Sequence, residues 1–437
     1  MWALADEPAV ELPMTDRPIP PLGLRVSAVW TISANTMFAL SQWLLLVLLA
    51  KYLDAQAVGR FALALAVSAP VVLFANMQLR SVLGADSGHK VPLETYLRTR
   101  ALSTAGAVAV LGALATLWPW PVARVILVVT AMKAVESGID IMQGLFQNLD
   151  RMDIIARSRL LRALGSVAGM SVGLSTARSL DIGLSLVLLS WLLVGVFYDL
   201  PRFRRWRYSH AADGAGSGMA RRCWELGRRA LPLGAAAALG SLAVAVPRLV
   251  LERSYDEREL GLYAALAYLI VVGALLTDSV SEAALPRLAR WFQEGAQKQF
   301  ERLLRNLLVL GLAVGAAGIL VAATLGPSLL RLLYSEEFVR RDVLVWVMIA
   351  AAFGYVASPL NAALIAAGQF RAQLWASASV LCVLIAFSLI LIPGGGSLGA
   401  AKAQAVGGFA QVLVTGGLAA ALVIGGGRRG VSAGGPS

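Results

Sequence analysis

The sequence has few charged residues, cysteines and histidines, and each shortage excludes a class of protein. Only 15% of its 437 residues are charged, whereas a soluble domain carries roughly 25%. Two cysteines and two histidines give no spacing typical of a metal site or a disulfide framework. With 58% hydrophobic residues and a mean hydropathy of +0.71, the chain has more apolar surface than one soluble core can bury. We therefore expect lipid to be its main solvent.

Long apolar runs recur along the whole chain and predict its fold class. A membrane-spanning helix needs about 20 apolar residues, and short separations such as Trp118–Pro121 predict tight turns between antiparallel helices. The predicted fold is all-α, with about twelve transmembrane helices in two six-helix bundles. The apolar runs cover residues 26–49, 59–79, 97–118, 121–146, 158–178, 181–199, 230–251, 261–285, 304–333, 342–367, 371–392 and 398–424.

Basic residues predict the orientation of the chain. Its net charge of +12 lies in short clusters between alternate apolar runs, which argues against a nucleic-acid partner. Lys and Arg are retained in cytoplasmic loops, so we expect a multi-pass protein of the cell inner (plasma) membrane with both termini in the cytoplasm. The predicted parts are a disordered N-terminal tail (1–25), an N-terminal bundle (26–200), a basic cytoplasmic linker (201–229), a C-terminal bundle (230–424) and a C-terminal tail (425–437).

The two halves resemble each other at an offset of 202 residues. Asp54-Ala-Gln-Ala-Val-Gly59-Arg-Phe and Asp256-Glu-Arg-Glu-Leu-Gly261-Leu-Tyr each open an apolar run with an aspartate five residues before a glycine. With six spans in each half, such repeats are parallel and related by an axis along the membrane normal, as in transporters that rock two bundles around a central site. A chance likeness between two turn-and-helix segments is the alternative.

These turns resemble those of the oligosaccharide flippases, the O-antigen (Wzx-type) and capsule-type branch of the multidrug/oligosaccharidyl-lipid/polysaccharide exporter superfamily. The likeness is carried by residues 50–66, Asn76–Arg80, Gln143–Arg151 and Asn361–Gln369, although Gln56 stands where that family often has Pro. The resemblance implies movement of undecaprenyl-diphosphate-linked oligosaccharide from the cytoplasmic to the periplasmic leaflet by alternating access, for lipopolysaccharide or exopolysaccharide synthesis. From the residues we further expect membrane lipid as a partner, no cofactor, H⁺ or Na⁺ as a coupling ion, and nothing beyond a monomer.

Two other classes share part of this pattern. A cation-coupled multidrug antiporter of the same superfamily would have the same duplication and acids within its spans. A membrane-embedded enzyme of polysaccharide assembly needs a catalytic site, and His89 and His210 have no partners at metal-binding spacing. No catalytic residue and no metal ligand is therefore predicted, and the cations within the spans favour an anionic substrate.

Charged residues within the spans are the candidate site residues, because each costs at least about 2.5–3.5 kcal/mol in lipid. Lys133, Glu136 and Asp140 share one face of span four. We expect Lys133 to contact the lipid diphosphate, and Glu136 or Asp140 to exchange a proton or Na⁺. The alternative is a self-neutralising Lys133–Glu136 salt bridge that only joins helices.

Three more cations complete the predicted substrate-binding set: Arg248, Arg60 and Lys402. Arg248 follows Pro247 in span seven, and its planar guanidinium suits phosphate, but it could instead extend to the outer interface. Lys402 can lie at the interface as well. Arg60 opens span two and can face either the cavity or water.

A cytoplasmic gate is predicted from the repeat. Asp278 and Glu282 in span eight align, at the offset of 202, with Asn76 and Arg80 in span two. We expect Arg80, Asp278 and Glu282 to form the gate, with Arg80–Glu282 as its salt bridge. Solvation of helix ends is the alternative.

Overall fold

The computed structural model describes residues 24–86, 91–207 and 218–432, and all regular elements in these ranges are helical. A π-helical turn (Gly195–Asp199) joins α7 to α8, and a 3₁₀ turn (Glu336–Phe338) precedes α13. The α-helices are α1 (Leu24–Tyr52), α2 (Ala55–Asn76), α3 (Leu79–Ala85), α4 (Leu93–Ala115), α5 (Trp120–Asn148), α6 (Met152–Ala177), α7 (Leu180–Val194), α8 (Leu200–Arg207), α9 (Met219–Ser254), α10 (Glu257–Ala267), α11 (Ile270–Gln293), α12 (Gln297–Leu333), α13 (Arg341–Ala366) and α14 (Phe370–Ser432).

These helices account for the twelve predicted spans. Eight are long and apolar enough to cross a membrane, and a ninth is obtained if α10 and α11, bent by 41°, form one span. Helices α4 and α5 have 23 and 29 residues but carry charges. Helix α14 reverses direction at Gly396 (φ +53°), so that Gly407 lies against Leu384 across the turn and two antiparallel helices result. The predicted all-α membrane fold is confirmed.

The helices pack as two bundles of six spans. In the first bundle α1 packs on α6, α6 on α7, and α2 on α4 and α5; in the second, α13 packs on α11, α12 and α14, and α9 packs on α14. Contacts between the bundles are made mainly by α2 with α9 and α10. The pseudo-symmetric helices α2 and α10 therefore lie side by side at the centre of the molecule.

Helices extend into the segments predicted to lie outside the membrane. Residues 1–23 of the predicted tail, 208–217 of the linker and 433–437 at the C-terminus lie outside the described residues, as do both histidines. Helix α9 begins at Met219 and α14 continues to Ser432. The start of α9 is helical because Cys223, Leu226 and Ala230 form one buried face.

The sequence repeat forms the same local structure twice. Asp54 is the N-cap of α2 and accepts a hydrogen bond from the Ala57 backbone N–H at 2.8 Å. Asp256 is the N-cap of α10 and accepts one from the Glu259 N–H at 2.8 Å. Each aspartate satisfies an amide that the first helical turn leaves unpaired, so both helices begin at equivalent positions.

Candidate functional site

The two bundles approach most closely where α2 crosses α10. A Cβ atom added at Gly59 would lie 1.6 Å from the Glu257 carbonyl oxygen, and one added at Gly261 would lie 1.8 Å from the Ala55 carbonyl oxygen. Gly59 and Gly261 are equivalent in the repeats, as are Ala55 and Glu257. The crossing therefore lies on the pseudo-symmetry axis, and residues without side chains allow the backbones to come this close. We call this end of the molecule the closed end.

Three glutamates of the second bundle join it to the first at the closed end. They accept hydrogen bonds as follows: Glu257 Oε2 from Arg60 Nε at 2.8 Å, Glu337 Oε1 from the Ala55 N–H at 3.0 Å, and Glu252 Oε1 from Trp118 Nε1 at 2.9 Å. The first is an ion pair between bundles. Arg60, predicted as a substrate-binding cation, is thus neutralised here and holds the bundles together.

The predicted residues of span four are all in ion pairs. Lys133 Nζ lies 2.8 Å from Glu136 Oε2, so the self-neutralising pair of the alternative interpretation is formed. Lys133 also lines a cavity of about 10 Å³ between α2, α4 and α5, which suits about one water molecule. Asp140 accepts from Arg100 at 3.0 Å and lies 3.4 Å from Arg80. Diphosphate contact by Lys133 and ion coupling by the two acids stay predictions.

The three predicted gate residues form no ion pair with one another among the residues described. Arg80 pairs with Asp140 and donates to Gln147 at 3.2 Å, both in its own bundle, and no Arg80–Glu282 bridge is formed. In the described part of the chain Asp278 and Glu282 have no ion pair; they line a cavity of about 370 Å³ in the second bundle. A gate of these residues stays a prediction for another conformation.

Arg248 and Lys402 are the two predicted cations without a carboxylate partner among the residues described. Arg248 is half-buried on α9, with Tyr263 and Tyr268 as its neighbours. The Lys402 ammonium lies 5.6 Å from the centre of the Trp346 ring. Both keep an uncompensated charge within the second bundle.

Three arginines of the first bundle were missed by the sequence analysis: Arg100, Arg159 and Arg162. They lie near the starts of the predicted spans 97–118 and 158–178 and were counted among the basic residues of the cytoplasmic side, but α4 and α6 begin four and six residues earlier. Arg100 and Arg162 are buried, with exposures of 2% and 3%. Since Arg159 and Arg162 lie three residues apart within an apolar run, their common face was the signal that could have found them.

Comparison with known proteins agrees with this architecture. No family model matches the chain. It is 26% identical over 387 residues to the capsular polysaccharide biosynthesis protein CapF of Staphylococcus aureus, an alignment that covers 87% of this chain and 95% of that protein. A structure of the lipid II flippase MurJ in an inward closed conformation matches with a TM-score of 0.70 and 13% identity, covering 89% of this chain and 86% of that one.

An inward-facing multidrug resistance transporter of the MATE family matches with a TM-score of 0.72 and 11% identity, covering 92% of this chain and 99% of that one. Both solved structures are transporters rather than enzymes. The resemblance stated from the turn motifs is confirmed: this chain is a multi-pass membrane protein with the fold of the multidrug/oligosaccharidyl-lipid/polysaccharide exporter superfamily.

Proposed function

We propose that the protein is a flippase that moves undecaprenyl-diphosphate-linked oligosaccharide from the cytoplasmic to the periplasmic leaflet of the inner membrane. The observation that carries this proposal is the set of arginines within the spans that have no carboxylate at salt-bridge distance in the described ranges, such as Arg159, Arg162 and Arg248. An unpaired cation in a span is costly, and a bound anion offsets that cost. The name of the capsular relative supports a substrate from polysaccharide synthesis.

The way the bundles meet supports alternating access as the mechanism of this proposed flippase. The positive-inside rule directs the closed end to the periplasm, because α2 and α10 both begin there. The Gly59–Gly261 crossing and the three glutamates then close the periplasmic side, which makes this an inward-facing state. The inward conformations of the two similar solved structures support that assignment. Rocking of the bundles would separate the crossing, open the periplasmic side and close the cytoplasmic side, and a single chain contains both bundles that this needs.

A cation-coupled multidrug antiporter is the second candidate. The observation that favours it is the pair of carboxylates, Asp278 and Glu282, on one cavity of the second bundle together with Ser358, Asn361 and Gln411. Oxygen ligands of this kind suit a proton or Na⁺. The same cavity could couple flipping to an ion gradient, so it does not by itself decide the substrate.

Deletion of the gene in its host tests the proposal. We expect a complete lipid-linked repeat unit to accumulate on the cytoplasmic leaflet and surface polysaccharide to be lost, with both effects reversed by the wild-type gene. Unchanged lipid-linked sugars together with greater sensitivity to cationic drugs would instead identify the antiporter.

A further inference from the structure

Cations outnumber carboxylates in one region of the first bundle, away from the closed end. We call this region the arginine cluster. Its five cations are Arg80, Arg100, Lys133, Arg159 and Arg162, and its three carboxylates are Glu136, Asp140 and Asp199. The cluster therefore has a surplus of two positive charges.

This surplus is divided between two places. One positive charge remains where Asp140 faces both Arg80 and Arg100. The other remains on α6, where the single carboxylate of Asp199 is left for Arg159 and Arg162. Lys133 is neutralised by Glu136, and Asp140 is shared by Arg80 and Arg100. The remaining cations are Arg159 and Arg162, neither of which has a carboxylate within salt-bridge distance among the described residues.

In the described part of the chain, the direct contacts of Arg159 and Arg162 are with neutral groups. The Arg159 guanidinium donates to the side-chain oxygen of Asn35 on α1. The Arg162 guanidinium lies beside a pair of contacting aromatic rings, 5.5 Å from the centre of Phe38 and 5.7 Å from that of Trp191, and its buried Nε has no hydrogen-bond partner among the residues described. Aromatic faces fix the plane of a guanidinium but supply no counter-charge.

The surroundings of Arg159 favour a bound anion. Its charged neighbours include Arg80 and Arg162 as well as Asp140 and Glu136, so like charges face one another inside the membrane. The cluster is not sealed by protein, since 28% of the Asp140 side chain and 29% of that of Glu136 are exposed. Arg159 itself is half-buried. An anion can therefore reach the cluster without unfolding the bundle.

We propose that Arg159 and Arg162, with Arg80 beside them, bind the diphosphate group of a lipid-linked substrate, an inference that rests on the proposed function. A diphosphate diester carries one negative charge on each phosphoryl group, and together these equal the surplus charge of the cluster. The guanidinium fork of Arg159 contacts the phosphate oxygens in this assignment. Arg162 is a positioning residue, fixed by its two rings.

The test uses the purified full-length protein in nanodiscs of a neutral phospholipid, titrated with undecaprenyl diphosphate and analysed by native mass spectrometry. Arg159→Gln should weaken binding roughly ten- to hundredfold, because a hydrogen bond to a charged group is lost. Arg157→Gln is the matched control. It lies on the same helix, two residues away, and is exposed over the Trp30 ring at 5.6 Å, so its binding should equal that of the wild type.

Equal affinity of Arg159→Gln and the wild type would overturn the site, as would an equal loss in Arg157→Gln. Displacement of undecaprenyl diphosphate by equimolar phosphatidylglycerol would overturn the diphosphate assignment, since that headgroup has one phosphate. Flipping of the lipid-linked substrate in proteoliposomes separates the two proposals. Arg159-dependent binding without flipping refutes the function alone, whereas flipping that Arg159→Gln leaves unchanged refutes the site alone.

Discussion

Replacing Gly59 with alanine adds a methyl group at the centre of the contact between the bundles. In the present structure that carbon would lie 1.6 Å from the Glu257 carbonyl oxygen and 2.6 Å from the carbonyl carbon, and Cβ atoms essentially never show contacts under 3.0 Å. Restoring an ordinary carbon–oxygen contact of about 3.3 Å requires α2 and α10 to separate by roughly 1.7 Å. The Arg60–Glu257 ion pair, now 2.8 Å long, would lengthen with them.

The energetic effect follows from this displacement. Overpacking of a close contact costs about 1–3 kcal/mol, and the cost falls only on the state in which the crossing is closed. The equilibrium should therefore shift roughly 5- to 150-fold toward the state that is open at the closed end. Transport that needs both states should fall accordingly.

The assay is a distance measurement between spin labels at the closed end. Labels at Lys51→Cys and Arg253→Cys, both exposed positions, report the separation of the bundles after Cys223 and Cys382 have been replaced. We expect Gly59→Ala to add a population at longer distance. The matched control is Gly112→Ala on α4, where an added Cβ meets nothing within 4 Å. Identical distance distributions for the two alanine variants would refute the reasoning.

Three further predictions concern charged groups. Glu257→Gln should slightly increase the distance between the spin labels, because it removes about 0–1 kcal/mol of attraction in a partly exposed pair. The exchange Arg60→Glu with Glu257→Arg should restore the wild-type distance. Failure of the exchange would mean that the pair does not hold the bundles together. Asp140→Asn removes the carboxylate that two arginines share and should lower the free energy of unfolding by about 1–3 kcal/mol. This loss is smaller than that for a fully buried ion pair. An unchanged unfolding temperature in detergent would contradict this prediction. Arg248→Gln removes an uncompensated cation, so we expect a higher unfolding temperature together with slower flipping in proteoliposomes. If the unfolding temperature and the flipping rate both fall, Arg248 has a structural role instead.

The repeat could be predicted from the sequence because it is local. An aspartate that caps a helix and a glycine five residues later can be recognised in the sequence itself. Their equal spacing in Asp54–Gly59 and Asp256–Gly261 correctly predicted the symmetry between the two halves. The crossing itself could not be predicted, since nothing in either segment states that the two glycines face each other across the axis.

Partners of the charged residues were harder to predict, for a physical reason. Helical periodicity shows which residues share a face, as it did for Lys133 and Glu136, but the neighbouring helix determines the partner. For Arg60 the sequence left the cavity and water as alternatives, and in the structure it pairs with a glutamate of the other bundle. Small errors in helix starts mattered as well, because Arg159 is the second residue of the predicted span 158–178 but the eighth residue of α6.

The contact at the closed end combines a symmetric part with an asymmetric one. The glycine crossing uses the same position of each half, so two identical six-span chains could form it without any change. The ion pair differs, because the counterparts of Arg60 and Glu257 in the repeat are Leu262 and Ala55. Because the sequences of the two halves differ, the Arg60–Glu257 ion pair lies on one flank of the axis and the apolar residues Leu262 and Ala55 lie at the equivalent positions on the other. Joining the halves in one chain thus allows the two flanks of the Gly59–Gly261 crossing to differ in charge.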